Sequence, residues 1–253
     1  MINFVGAGPG AKDLITMRGH KLLTEADVLI YAGSLVNKEL LSYTKEGCEI
    51  HNSASMTLEE VIELMKKAES ENKSTVRLHT GDPSIYGAIR EQIDILAREN
   101  IEYAVVPGVS SFCGAAAALG AEYTLPDVSQ SVIITRMEGR TKTPERESIR
   151  SFASHKSSMA LFLSSSLTKE LERELIEGGY EPSTPVAVVY KATWPEQKIF
   201  RCTIDTLHQT MTENNITKTA LILVGNFLGD KYERSELYNP TFTHEYRQGK
   251  NNE

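Results

Sequence analysis

The chain has 253 residues, 40% hydrophobic and 24% charged, with 34 acidic against 27 basic side chains and a net charge of -7. This balance excludes collagen, coiled coil and wholesale disorder, and it argues against tight non-specific binding to nucleic acid. At about 150 residues per domain the chain is one large domain or two small ones, and it buries roughly three quarters of its unfolded surface without a disulfide or metal staple.

Short β-branched apolar runs alternate with longer amphipathic stretches. In the first half, strands are predicted at Ile2–Val5, Val28–Tyr31, Cys48–Ile50, Thr75–His79 and Tyr103–Val106, and helices over Asp13–Glu25, Thr57–Ser70 and Ser84–Asn100. Thr57 and Glu60 make a capping box that starts the second of these helices. Strand–helix alternation of this kind predicts a parallel sheet built from βαβ units. The uncharged run Ala104–Ala121 contains Pro107-Gly108, Ser110, Ser111, Gly114 and Gly120, and reads as strand, turn and helix instead of a membrane span. Gly120–Gln130, with Pro126 and Asp127, is the natural linker, so the expected domains are 1–121 and 122–253. In the second, strands are predicted at Val132–Thr135, Met159–Leu163, Pro185–Tyr190 and Ala220–Val224, with Lys198–Thr203 as an extra antiparallel strand. Helices are predicted over Leu167–Glu177, stopped by Gly178-Gly179, and over Asp205–Glu213. The polar tail after Pro240 is expected to fray.

Cys48, Cys113 and Cys202 are far apart and odd in number, which fits a reducing cytoplasm, and the six histidines offer no metal-ligand spacing, so no metal site is expected. The N-terminus enters a strand at once without a basic leader segment, so no signal peptide is expected.

Three small-residue turns follow predicted strands: Gly6-Ala7-Gly8-Pro9-Gly10, Thr80-Gly81-Asp82-Pro83 and Pro107-Gly108-Val109-Ser110-Ser111. In an open parallel sheet all three lie on the rim at the carboxyl ends of the strands, where ligands bind. Gly6, Gly8 and Ala11 satisfy the dinucleotide pattern G-x-G-x-x-A, but the second strand ends in Tyr31-Ala32-Gly33 and brings no acid for a ribose. Pro9 also removes a backbone N–H from the loop that would cradle pyrophosphate, so the NAD reading fails on context.

Val5-Gly6-Ala7-Gly8-Pro9-Gly10 followed by Asp13-Leu14-Ile15-Thr16 resembles the N-terminal signature of the tetrapyrrole methylases, enzymes that use S-adenosylmethionine in cobalamin and sirohaem synthesis. The other two rim turns sit where that family has its second and third motifs, and Ala220-Leu221-Ile222-Leu223-Val224-Gly225 resembles its closing strand. Within the family, Tyr31-Ala32-Gly33-Ser34-Leu35-Val36, Ser53-Ala54-Ser55-Met56-Thr57, Gly81–Gly87 and Thr135-Arg136 with Glu138-Gly139-Arg140-Thr141 resemble enzymes that methylate precorrin-4 or cobalt-precorrin-4 at carbon 11. Uroporphyrinogen III methyltransferases have an acid where this chain has Ala32, which argues against that reaction. The remaining alternatives are a sister methylase acting at another ring carbon or on another substrate such as RNA or a modified protein, and a non-catalytic tetrapyrrole- or nucleotide-binding module.

The resemblance implies two α/β domains, a mostly parallel sheet in the first and a mixed sheet in the second, with the cofactor in the cleft between them, and a homodimer; the cytoplasmic setting is expected from the cysteines. It implies cofactor contacts at Pro9, Gly81, Asp82, Ile85, Ser110, Ser111, Leu163, Ala192 and Ala220, with S-adenosylhomocysteine as the product. Asp82 either binds the donor's ammonium or ribose hydroxyls or braces its own turn. For a substrate rich in carboxylates, Lys12, Arg18, Ser53, Ser55, Met56, Arg136 and Arg140 are the candidate contacts, with Met56 equally suited to the core. Arg146 and Arg150 belong either to the same basic run or to a solvated face, and Tyr86 and Phe112 either pack near the turns or touch ligand. Methyl transfer from a sulfonium needs alignment more than acid–base power, so no nucleophile or general base is named.

Overall fold

The structure, a computed structural model, describes residues 1–250. The chain packs as two compact units: Met1–Ala115 joined by Lys191–Gln197, and Ala116–Tyr190 with the chain from Lys198 onward.

The first unit runs β1 (Ile2–Gly6), α1 (Met17–Glu25), β2 (Val28–Tyr31), β3 (Glu49–Asn52), α2 (Leu58–Ser70), β4 (Thr75–His79), α3 (Arg90–Arg98), β5 (Tyr103–Val106) and into α4 (Ser111–Leu119). Its sheet has the order β3-β2-β4-β1-β5, and every neighbouring pair is parallel. Strands β1, β2 and β4 are buried along their whole length, as parallel strands covered on both faces must be. One face packs Leu23, Ala26 and Leu40 against Val5, Leu29, Val76 and Leu78; the other packs Val61, Ile62, Met65 and Leu96 against Ile2, Phe4 and Ile30.

The chain leaves β1 for β2, two places along the sheet in one direction, and leaves β4 for β5, two places in the other. Because β1 and β4 are neighbours, the sheet has its topological switch point between them, where departing connections leave a crevice.

The second unit runs β6 (Val132–Arg136), α5 (Ile149–Ala153), β7 (Ser158–Phe162), α6 (Thr168–Glu177), β8 (Pro185–Tyr190), β9 (Lys198–Thr203), α7 (Leu207–Glu213) and β10 (Ala220–Val224). Its sheet, β6-β7-β10-β8-β9, is mixed: β6 and β7 are parallel, and the other pairs antiparallel. Helices α5, α6 and α7 cover one face through Ile149, Leu171, Leu175, Leu207 and Met211.

Several predicted elements shorten. Asp13–Glu25 is a 3₁₀ turn at Lys12–Leu14, then extended Ile15 and Thr16, then α1, because the Thr16 side chain accepts the Gly19 N–H and caps a helix start there. Of Ser84–Asn100 only Arg90–Arg98 is α-helical, since Tyr86 and Ala88 take left-handed backbone angles. The Thr57–Glu60 capping box forms in both directions, at 3.3 and 2.7 Å. Of the tail, residues 241–250 fold back on the chain before them: the Arg247 guanidinium donates to the carbonyls of Leu237 and Asn239, and the Lys250 N–H to that of Pro240. Among the described residues no helix is long and apolar enough to cross a membrane.

Strand β4 carries polar side chains into the core. Arg77, 6% exposed, donates to Gln92 Oε1 and to the Ile30 carbonyl, and desolvation lowers its pKa to about 10. His79, 3% exposed, stacks on Phe4, and its buried Nε2 has no hydrogen-bond partner among the described residues. Desolvation, then the Arg77 charge, lower the His79 pKa from 6.5 to about 3. The unfolded chain therefore takes up this proton first, so its contribution to stability is full above about pH 6.5 and is lost as pH falls toward 3. Urea unfolding of wild type and His79→Leu across this window checks it: the variant should lose up to about 1.4 kcal/mol per pH unit of the wild-type slope.

Candidate active site

The three glycine turns meet. The Ala7 N–H donates to the His79 carbonyl at 2.7 Å, and Gly8 and Gly81 exchange backbone hydrogen bonds at 3.3 and 2.9 Å. Gly108 closes the group: a Cβ there would lie 2.1 Å from the Gly81 oxygen and 2.7 Å from Gly6 Cα, so the backbones touch where a side chain would stand.

Asp82 ties the second turn to the third. One carboxylate oxygen accepts the Gly108 N–H at 2.8 Å, and the other accepts the Ser84 N–H and hydroxyl. Desolvation raises the Asp82 pKa, but these hydrogen bonds outweigh it and the net shift is downward, so the group is held as a carboxylate. Asp82 thus braces its turn and the next one. Ser110 is 6% exposed, and neither its buried hydroxyl nor that of Thr80 has a hydrogen-bond partner among the described residues. Pro9 and Gly81 are buried in the same group of turns, Ile85 is half-buried just past Asp82, and Ser111 begins α4.

The candidate substrate residues of the first unit share this rim. Ser53 and Ser55 form a 3₁₀ turn after β3, capped by Asn52, and the Ser53 hydroxyl donates to the Tyr31 carbonyl at the end of β2. Met56 packs against the core cluster under α2. Lys12 and Arg18 follow β1 and are exposed; the Lys12 ammonium lies 5.8 Å from the Tyr43 ring centroid.

In the second unit, register places Arg136 at the end of β6, Leu163 just past β7 and Ala220 at the start of β10 along one edge of the sheet. Leu163 has a left-handed φ of 52° and is 62% exposed, unusual for a leucine. The Arg136 guanidinium donates to the carbonyls of Met137, Thr141 and Lys142, so it holds the loop on which Arg140 stands exposed. Arg150 pairs with Glu174 and Glu177 of α6, and Arg146 lies 3.7 Å from Glu147; both belong to surface ion pairs. Ala192 follows β8 in the chain but packs with the first unit, its carbonyl beside Gly10.

Residues 1–208 match the family described as Tetrapyrrole (Corrin/Porphyrin) Methylases. The chain belongs to the tetrapyrrole methylases. It is 56% identical to a cobalt-precorrin-4 C(11)-methyltransferase of Methanocaldococcus jannaschii, over 96% of this chain and 94% of that protein. It is 51% identical to one of Priestia megaterium, over 97% and 96%. The X-ray structure of a cobalamin biosynthetic enzyme, cobalt precorrin-4 methyltransferase, is similar at a TM-score of 0.89 and 50% identity, covering 90% of this chain and 96% of that one. As a tetrapyrrole methylase the chain has the two α/β units, parallel then mixed, that its motifs implied.

Residue patterns did not single out Asn37, Thr193 or Trp194, which hold the first glycine turn. The available signal was that Trp194 is the chain's only tryptophan and sits beside a proline.

Gly108→Ala tests the contact between turns. It should lower unfolding free energy by about 3 kcal/mol, read as a shifted urea midpoint at unchanged slope, because its new methyl overlaps backbone that has nowhere to move.

Proposed function

We propose that this chain is an S-adenosylmethionine-dependent methyltransferase that methylates cobalt-precorrin-4, or precorrin-4, at carbon 11 of the ring that becomes the corrin of cobalamin. The observation that carries this reading is the meeting of three glycine turns at the switch point of a tetrapyrrole methylase sheet. The cobalt form is favoured because both relatives above, and the solved structure, bear its name.

The residues at the rim fit the cofactor. The turns present backbone where side chains would block approach, and beside them two buried hydroxyls, on Ser110 and Thr80, have no hydrogen-bond partner among the described residues. When bound, S-adenosylmethionine supplies a methyl group on a sulfonium, a leaving group good enough that no nucleophile is needed from the protein. Pro9, Gly81, Asp82, Ile85, Ser110 and Ser111 would hold it, with Leu163, Ala192 and Ala220 as apolar contacts. Asp82 keeps two turns in fixed relation through Gly108 and Ser84, so the first unit presents a ready-made seat. Orientation of this kind accounts for about 7–11 kcal/mol of a barrier when both reactants are held in near-attack geometry.

On the substrate side the reading uses Lys12, Arg18, Ser53, Ser55, Met56 and Arg140, with Arg136 acting through the loop that carries Arg140. Exposed cations on an acidic chain suit the carboxylates of a reduced tetrapyrrole. The reading includes a homodimer and a cytoplasmic setting, the latter supported by three scattered free thiols.

Calorimetric titration with S-adenosylhomocysteine should show binding, and incubation of cobalt-precorrin-4 with S-adenosylmethionine should yield a product one methyl heavier, located at carbon 11 by NMR. No binding at high micromolar ligand would overturn the proposal; binding without methyl transfer would mark a tetrapyrrole-binding module instead. Asp82→Ala should weaken S-adenosylhomocysteine by about tenfold or more through loss of the brace. Arg140→Ala should raise the KM for the tetrapyrrole severalfold and leave cofactor affinity unchanged; a cofactor-only defect would remove Arg140 from the substrate contacts.

A further inference from the structure

The segment Lys191–Gln197 follows β8 in the chain yet packs with the first unit, where it closes on the glycine turn after β1. The Ala11 N–H donates to Thr193 Oγ1 at 3.0 Å, and the Trp194 indole N–H donates to the Pro9 carbonyl at 3.2 Å. Gly10 lies against the indole: a Cβ there would be 2.0 Å from Trp194 Cδ1 and 2.8 Å from the Ala192 oxygen. From another segment, the buried Asn37 side-chain amide donates to the Gly10 carbonyl at 2.9 Å. Three consecutive residues of a turn outside any helix or strand therefore have a backbone polar group held by a remote side chain.

The segment is itself organised for this. The Thr193 N–H donates to Gln197 Oε1 at 2.7 Å, Trp194 and Gln197 close successive backbone turns, and the Lys191 ammonium lies 5.3 Å from the Trp194 ring centroid. Gly114 of α4 leaves room for Pro9 and the Thr193 methyl, each about 3 Å from where its Cβ would be. Lys191 and Thr193 take left-handed φ values of 47° and 70°. A β-branched residue is strongly disfavoured there, and surrounding contacts must over-determine such a conformation for it to persist.

We propose that Thr193 and Trp194 are positioning residues for methyl transfer: they clamp the Pro9–Ala11 backbone so that the turn presents a fixed surface to the cofactor. The inference rests on the reading of that turn as part of the cofactor seat. Neither side chain needs to touch a reacting atom. Their effect passes through the turn, where displacements of about 1 Å suffice to spoil alignment.

The test uses the full-length chain with Thr193→Val, Thr193→Ser and Trp194→Phe. Valine keeps the shape and branching of threonine, and hence the backbone strain, but removes the acceptor; serine keeps the acceptor; phenylalanine keeps a ring against Gly10 but removes the donor. Amide exchange at Ala11 should accelerate in Thr193→Val and stay near wild type in Thr193→Ser. Thr193→Val and Trp194→Phe should each weaken S-adenosylhomocysteine by about tenfold and lower kcat/KM for S-adenosylmethionine, with the KM for the tetrapyrrole unchanged. Thr193→Ser should bind within about twofold of wild type, at similar melting temperature.

If Thr193→Val and Trp194→Phe bind as wild type does, or if serine loses as much as valine, the clamp is overturned. If Trp194→Phe fails to fold, Thr193→Val still decides, since it changes one atom and little volume. Failure of wild type to bind S-adenosylhomocysteine would defeat the functional reading instead, and unchanged Ala11 exchange in Thr193→Val would defeat the clamp separately.

Discussion

The close approach of backbone at Gly6, Gly81 and Gly108 is the constraint on which the rest of the rim depends. Neighbouring strands of a parallel sheet lie about 4.8 Å apart, so turns leaving β4, β1 and β5 must either splay or dispense with side chains where they cross. Here they dispense with them, and the Gly81 oxygen sits where a Gly108 side chain would begin. Asp82 then bridges the second and third turns, and the Gly8–Gly81 pair bridges the first and second. The result is a group of turns held in fixed relation, with the buried hydroxyls of Ser110 and Thr80 beside it lacking a hydrogen-bond partner among the described residues.

Charge is distributed with the same separation of tasks. The run from Arg136 to Arg150 reads as one basic patch in one dimension, but its members do different things. Arg136 spends its fork on three loop carbonyls, Arg150 pairs with two glutamates of a neighbouring helix, and Arg140 stands on the loop that Arg136 shapes. A planar guanidinium suits the structural tasks because its several donors point in fixed directions. A chain of net charge -7 can therefore still present a few cations to an anionic partner while using others as internal ties.

Most strands were legible to within a residue because strands buried on both faces are short and largely apolar, as Val28–Tyr31, Pro185–Tyr190 and Ala220–Val224 are. Helix boundaries were less so. Ser84–Asn100 has helical periodicity throughout, yet Gly87 is packed against the Pro83 carbonyl and Tyr86 and Ala88 are left-handed, so tertiary packing overrode propensity over residues 84–89. The meeting of the rim turns could be foreseen from topology. The holding of the first turn could not, since Asn37, Thr193 and Trp194 lie 27, 182 and 185 residues from the groups they bind.

By itself the sequence determined two α/β halves, their strand order in the chain, the glycine turns and the tetrapyrrole methylase signature, all of which are written in local periodicity and local motif. Only the tertiary structure decided that Asp82 braces two turns, that Arg136 holds its own loop while Arg150 pairs with α6 at the surface, and that a segment beyond β8 closes on Pro9, Gly10 and Ala11. The reason is that a hydrogen bond is satisfied by whichever partner the fold brings within about 3 Å, and chain separation carries no information about that distance.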